Sequence, residues 1–121
     1  MKIAISSFGP NLNSRLNPRF GGCSHFLVMD MNDMRLEVFE NKSADHGGSS
    51  GSEAARFLAS KKVNAIITGR CRPSAYQTLS DLGIYLYLKQ YGTAKEVLEK
   101  YKKGQLRRAT GPNLKSREPA D

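Results

Sequence analysis

A chain of 121 residues with 39% apolar side chains and a formal charge of +8 fits one domain that buries a core without staples. No apolar run approaches the ~20 residues of a membrane span. Two cysteines far apart, in a chain that goes straight into a strand with no signal peptide, point to a reducing cytoplasm, where such cysteines more often serve metal or redox chemistry than a structural disulfide.

In chain order, Lys2-Ile3-Ala4-Ile5-Ser6 reads as a first strand, apolar enough to be central. Residues 7–24 form a long loop of Gly, Pro, Asn and Ser that carries Arg15 and Arg19 and no acid; loops of this length in a compact domain are functional or disordered. His25 to Met31 is a second strand and Arg35 to Glu40 a third, joined by a turn too short for anything but a hairpin. A second glycine- and serine-rich loop, Asn41 to Ser52, holds His46 and ends in Ser50-Gly51-Ser52-Glu53, a capping-box pattern that predicts a helix with Ala54, Ala55, Phe57 and Leu58 inward.

Val63 to Ile67 is a buried parallel strand by its continuous apolar run. The turn Thr68-Gly69-Arg70-Cys71-Arg72-Pro73 follows, and Pro73 is placed for the first turn of a helix that runs to Gly83. Ile84 to Leu88 is a fifth strand. Thr93-Ala94-Lys95-Glu96 is a second capping box, opening a helix with Val97, Leu98 and Tyr101 inward and Gly104 as its stop. The order is βββαβαβα, in a single domain over residues 1–106. Residues 107–121 read as a disordered or loosely attached basic tail, since residues 100–121 hold seven Lys/Arg against two Asp/Glu.

A hairpin followed by right-handed crossovers predicts a five-stranded mixed sheet of order 3-2-1-4-5 with strand 2 antiparallel. That topology puts the ends of strands one, three and four and the start of strand two at one edge, where ligands bind in open α/β sheets. The edge gathers Cys23, His25, His46, Gly47, Gly48 and Cys71, together with Arg15, Arg19, Arg70 and Arg72 against a single acid, Asp45. Taken singly, a cysteine is more often a buried small hydrophobe than a ligand. Together, Cys23, Cys71 and His46 are a soft donor set of the kind that holds zinc, copper(I) or iron–sulfur clusters, although no tight C-x-x-C spacing supports it. The arginines predict an anionic ligand.

His46-Gly47-Gly48-Ser49-Ser50-Gly51 lacks the lysine of a P-loop and the spacing of a dinucleotide fingerprint, yet its amides at a helix N-terminus suit an anion. No Asp/Glu cluster and no paired nucleophile and base point to catalysis. Two further readings stand beside cluster binding. The basic tail would serve a nucleic-acid-binding module, without any readable binding motif for that role. Cys23 and Cys71, in basic surroundings that favour thiolate, would serve as a redox pair.

With these residues laid out, the chain resembles the dinitrogenase iron–molybdenum cofactor biosynthesis family, the NifX/NifB-C-terminal/NafY-like domains and their stand-alone relatives. Phe20-Gly21-Gly22-Cys23-Ser24-His25-Phe26 is similar to its FGRCxYF segment, with Gly22 for the usual Arg and His25 for an aromatic residue. Asn41 through Ala55 resembles its N-P-x…GG-x-G…AA stretch, with Lys42 for Pro, and Gly69 to Tyr76 its G-x-x-G-P-x-A-F turn, with Arg72 for Gly. The resemblance implies a ribonuclease H-like three-layer α/β fold. It also implies non-enzymatic binding or carriage of a metal–sulfur cluster, of iron–molybdenum or iron–sulfur type or a molybdenum–copper sulfide, passed from a donor or to an acceptor protein. The fewness and separation of the cysteines, set against the arginines, favour electrostatic capture of a preformed anion over ligation by Cys23, Cys71 and His46.

Overall fold

The structure, a computed structural model, describes residues 1–114. Five strands, β1 (Lys2–Ser7), β2 (His25–Asp30), β3 (Arg35–Glu40), β4 (Ala65–Ile67) and β5 (Tyr85–Tyr87), alternate in their second half with three helices, α1 (Ser50–Ser60), α2 (Pro73–Asp81) and α3 (Ala94–Lys102). They form one sheet of order β3-β2-β1-β4-β5. β1 pairs antiparallel with β2 and parallel with β4, in a register that sets Ser7 against His25 and Ile5 against Ile67. The expected order and strand directions are those observed.

Period-two alternation divides the core into two faces. Ile3, Ile5, Leu27, Met29 and Ile67 pack with Ala94, Val97 and Leu98 of α3. Ala4, Phe26, Val28, Ile66 and Leu86 pack with Ala54, Ala55 and Leu58 of α1 and Ala75 and Leu79 of α2. The molecule is therefore three layers, with α1 and α2 on one face and α3 on the other. Gly83 (φ +73°) and Gly104 (φ +69°) follow the ends of α2 and α3 in the left-handed region, as expected of helix stops.

Local readings differ at three places. β4 and β5 are shorter than the runs Val63–Ile67 and Ile84–Leu88: the Val63 amide turns back to the Leu58 carbonyl of α1, and the Ile84 amide to the Leu79 carbonyl of α2. The Ser50–Glu53 capping box does not form. A short 3-10 turn, Gly47–Ser49, runs directly into α1, so Ser50 is already helical (φ −60°, ψ −39°) and cannot take the extended conformation of a capping residue. The Thr93–Glu96 box does form, with Thr93 extended (φ −82°, ψ 160°) and both reciprocal bonds present.

The third difference is the stretch from residue 107. As far as Leu114 it lies against the domain: the Ala109 amide bonds the Leu86 carbonyl and the Arg108 guanidinium sits 4.1 Å from the centre of the Tyr85 ring. Asn113 and Leu114 reach the turn around Cys71. The rest of the expected tail, residues 115–121, lies outside the described residues. Among the described residues no helix is long and apolar enough to cross a membrane.

Candidate functional site

The sheet edge at the end of β1 and β4 is built on a buried polar joint. The Ser6 hydroxyl donates to the Asn17 carbonyl at 2.7 Å, so the Thr68 hydroxyl, 2.6 Å away, must donate to Ser6. Asn17 returns its amide to the Ser6 carbonyl, and its side-chain oxygen accepts from the Arg19 amide. The Arg70 amide then donates to Pro18 at 2.7 Å, and Arg19 and Arg70 form a parallel bridge. Gly69 is required there, since a Cβ would lie 2.6 Å from the Pro18 side chain. The joint thus sets two arginines side by side from loops that are 51 positions apart in sequence.

Beside this bridge the N-termini of α1 and α2 meet. A Cβ on Gly51 would stand 2.8 Å from the Ala75 methyl, and one on Gly21 would stand 2.6 Å from the Gly51 amide. The glycines let loop and helices touch by their backbones. Between them lies a cavity of about 150 Å³ lined by Arg19, Arg70 and Arg72, by Gly21, Gly22, Gly48 and Gly51, by Cys71 and Ser74, and by the apolar Phe20, Ala75 and Leu114. No acid lines it. Among the described residues neither Arg19 nor Arg70 has a carboxylate partner.

Neither helix closes its own end with a side chain: Ser49 before α1 and Arg72 before α2 make no cap hydrogen bond. At α1 the preceding 3-10 turn meets the Ser50 amide with the Gly47 carbonyl, whereas α2, which Pro73 opens without an N–H, brings Ser74 and Ala75 of its first turn to the cavity lining; the positive ends of helix dipoles placed there suit an anion.

Of the residues singled out from sequence, Arg19, Gly48, Arg70, Cys71 and Arg72 line this cavity. Cys23 does not; it is fully buried, its thiol donating to the Phe20 carbonyl at 3.3 Å. His25 begins β2 and bonds the Ser24 hydroxyl. His46 pairs with Glu53 at 2.8 Å and, next to Gly47, opens onto a different groove, flanked by Phe39, Phe57 and Lys61. Arg15 bridges to Thr93 and acts on Glu96, at the α3 side. Among the described residues no three His, Cys, Asp or Glu side chains are grouped to hold a metal ion.

The thiols also differ from the redox expectation. Burial pushes both Cys23 and Cys71 up to about 12, so both are held as thiols at neutral pH. The Cys23 thiol donates to the Phe20 carbonyl and the Cys71 thiol to the Arg72 carbonyl at 3.5 Å. Both cysteines are free.

Two residues at the site escaped the sequence reading. Asn41 donates to the Gly21 and Cys23 carbonyls, tying the loop after β3 to the loop before β2. Asn113 brackets the Gly69–Cys71 turn from the C-terminal stretch. The only signal for Asn113 was the turn-forming Gly111-Pro112-Asn113 in a segment otherwise without periodicity.

A model of the dinitrogenase iron-molybdenum cofactor family matches residues 1–104. An uncharacterized protein of Methanocaldococcus jannaschii is 31% identical over 109 residues, which are 88% of this chain and 89% of that protein. Among solved structures, the apo form of the orange protein from Desulfovibrio gigas matches with a TM-score of 0.90 at 31% identity, covering 93% of this chain and 96% of that one. The solution structure of a candidate NifB protein from Thermotoga matches with a TM-score of 0.82 at 30% identity, over 93% of this chain and 97% of that one.

Proposed function

The chain belongs to the dinitrogenase iron-molybdenum cofactor family, and from that premise we propose that it binds and carries a preformed anionic metal–sulfur species, without chemistry of its own, in the cavity between the N-termini of α1 and α2. The observation that carries this reading is the convergence of Arg19, Arg70 and Arg72 with two helix ends that no side chain caps on a cavity that no acid lines among the described residues. A rim of fixed cations and amides is complementary to any compact anion.

Size narrows the class. About 150 Å³ is well below the ~300–1,000 Å³ of sites that bury an organic ligand, which favours a thiometallate, or one corner of a larger cluster seated at the mouth. Capture is electrostatic in this proposal: the Cys71 thiol is protonated and turned to a carbonyl, and Cys23 lies out of reach of the cavity. A carrier held this way releases its cargo to an acceptor protein without breaking a metal–thiolate bond.

The test is reconstitution. The purified protein is mixed with tetrathiomolybdate and copper, and separately with iron and sulfide, desalted, and its visible spectrum recorded. Retained charge-transfer bands are expected in at least one case. Their absence under both conditions would sink the proposal.

A further inference from the structure

The family match ends at residue 104, and the stretch that follows is fastened to the wall of the cavity by the Asn113 side chain and by the backbone amides of Asn113 and Leu114. Asn113 accepts from the Cys71 amide at 2.8 Å through its carboxamide oxygen and donates to the Gly69 carbonyl at 2.9 Å through its carboxamide nitrogen. The amides of Asn113 and Leu114 both donate to the Cys71 carbonyl at 3.2 Å. Four hydrogen bonds therefore converge on Gly69–Cys71, the turn that presents Arg70 and leads into Arg72 and the open end of α2. A carboxamide supplies both a donor and an acceptor on one short planar group; a carboxylate lacks the donor and adds a charge that repels an anion. One residue on, Leu114 itself lines the cavity.

We infer that residues 107–114 form a retention latch on the anion cavity, with Asn113 as the positioning residue that holds the Arg70 turn and Leu114 as the movable wall. This rests on the proposed cluster-binding reading. The latch governs the cargo's exit more than its capture. The arginines that attract the anion lie on residues 19, 70 and 72, whereas undocking the latch loosens the turn and withdraws one wall together. Such local opening of a peripheral segment needs only a small part of the global unfolding free energy. A carrier so built binds tightly while the latch is docked and releases when an acceptor competes for it.

The experiment uses the full chain and two readouts. In the ligand-free protein, amide hydrogen exchange at Cys71 is measured by NMR for wild type and Asn113→Ala; exchange about tenfold faster is expected, since the amide loses its acceptor. In protein loaded with tetrathiomolybdate, stopped-flow release into excess unlabelled competitor is expected about fivefold faster for Asn113→Ala and Leu114→Ala, with association changed less than about twofold. Leu114→Met, which refills the wall, should recover slow release. Faster Cys71 exchange with unchanged release would reduce the latch to a structural tie and overturn the inference, as would unchanged exchange. If wild type binds no tetrathiomolybdate at all, the underlying cluster-binding reading fails and the latch with it, an outcome distinct from the other two.

Discussion

The N-terminus of α3 and those of α1 and α2 are built from similar residues to opposite ends. Thr93 enters α3 extended, its hydroxyl accepts from the Glu96 amide at 3.1 Å, and the Glu96 carboxylate accepts from the Thr93 amide at 2.7 Å. That end is satisfied by its own side chains. Before α1, Ser49 and Ser50 spend their hydroxyls on Glu53 and on the Gly47 carbonyl; before α2, Arg72 has the same extended backbone as Thr93 (φ −81°, ψ 160°) but no short acceptor with which to cap. Leaving a cap unmade costs a helix end about 1 kcal/mol. Where two ends without side-chain caps meet beside three arginines, an anionic ligand is the natural partner of the first turn of α2.

The largest expected effect breaks this comparison on the open side. Arg19→Glu with Arg70→Glu should weaken tetrathiomolybdate binding at least about a hundredfold, because two charge-assisted contacts worth ~1.5–3 kcal/mol each are replaced by repulsion. Both side chains are exposed, so the thermal midpoint should move little. Raising salt from 50 to 500 mM should weaken wild-type binding in the same direction. Binding that survives the double reversal, followed by absorbance titration, would remove the electrostatic account.

Next in size is the test of the sulfur layer below. Cys23→Ser with Cys71→Ser puts two hydroxyls in buried sites and should cost about 1–3 kcal/mol of stability each, since a shorter O–H must reach the carbonyls of Phe20 and Arg72 now met by sulfur. Cargo binding should stay within about threefold of wild type on the same reasoning that burial keeps both groups protonated. A double variant still folded by circular dichroism that retains no cargo would show ligation by thiolate and reverse the proposal. On the closed side, Thr93→Ala should lower stability by about 1 kcal/mol, or roughly 4 °C, and leave binding untouched; differential scanning calorimetry beside the absorbance titration decides it.

How much of this was legible in sequence follows from what each signal measures. Strand order was readable because apolar runs and short connections restrict topology. That same reasoning brought Arg19, Gly48, Arg70, Cys71 and Arg72 to one edge. It failed for Arg15, because a loop spanning residues 7–24 is long enough to reach both faces, and its first half is drawn to the α3 side by the bond from Leu16 to Gly92. It failed for Cys23 because sharing an edge says nothing of depth. His46 was lost to Glu53, a partner that the sequence suggested would cap α1 instead. Of the four departures from the family pattern, Gly22 for Arg and Arg72 for Gly line the cavity, and His25 and Lys42 do not. Arg19 lies close over Gly22, where a Cβ would stand 3.0 Å from its guanidinium, so the charge lost at 22 is met from 19 and 72. Asn113 was hidden because a polar, aperiodic stretch has the composition of a free tail whether or not one side chain fastens it.

The smallest effect sharpens the comparison at the level of single carboxyls. Glu53 and Glu96 both sit early in their helices and both are held below the ordinary carboxylate range, but for different reasons. For Glu96 the leading cause is the Thr93 backbone amide, with the Thr93 hydroxyl second; for Glu53 it is the Ser49 hydroxyl, with His46 second. A depressed folded value means each carboxylate's contribution is present above the ordinary glutamate pKa and lost as pH falls through the lowered one. Thr93→Ala should raise Glu96 only part of the way back, because the backbone donor remains. Ser49→Ala should return more of the Glu53 shift, its principal donor having gone, and each substitution should leave the other carboxyl unmoved. Carbon-detected NMR titration of the two side chains reads both directly. If Ser49→Ala combined with His46→Ala leaves Glu53 as depressed as before, backbone amides of α1 must be holding that carboxylate, the end of α1 is as closed as that of α3, and the contrast on which the anion site rests is lost.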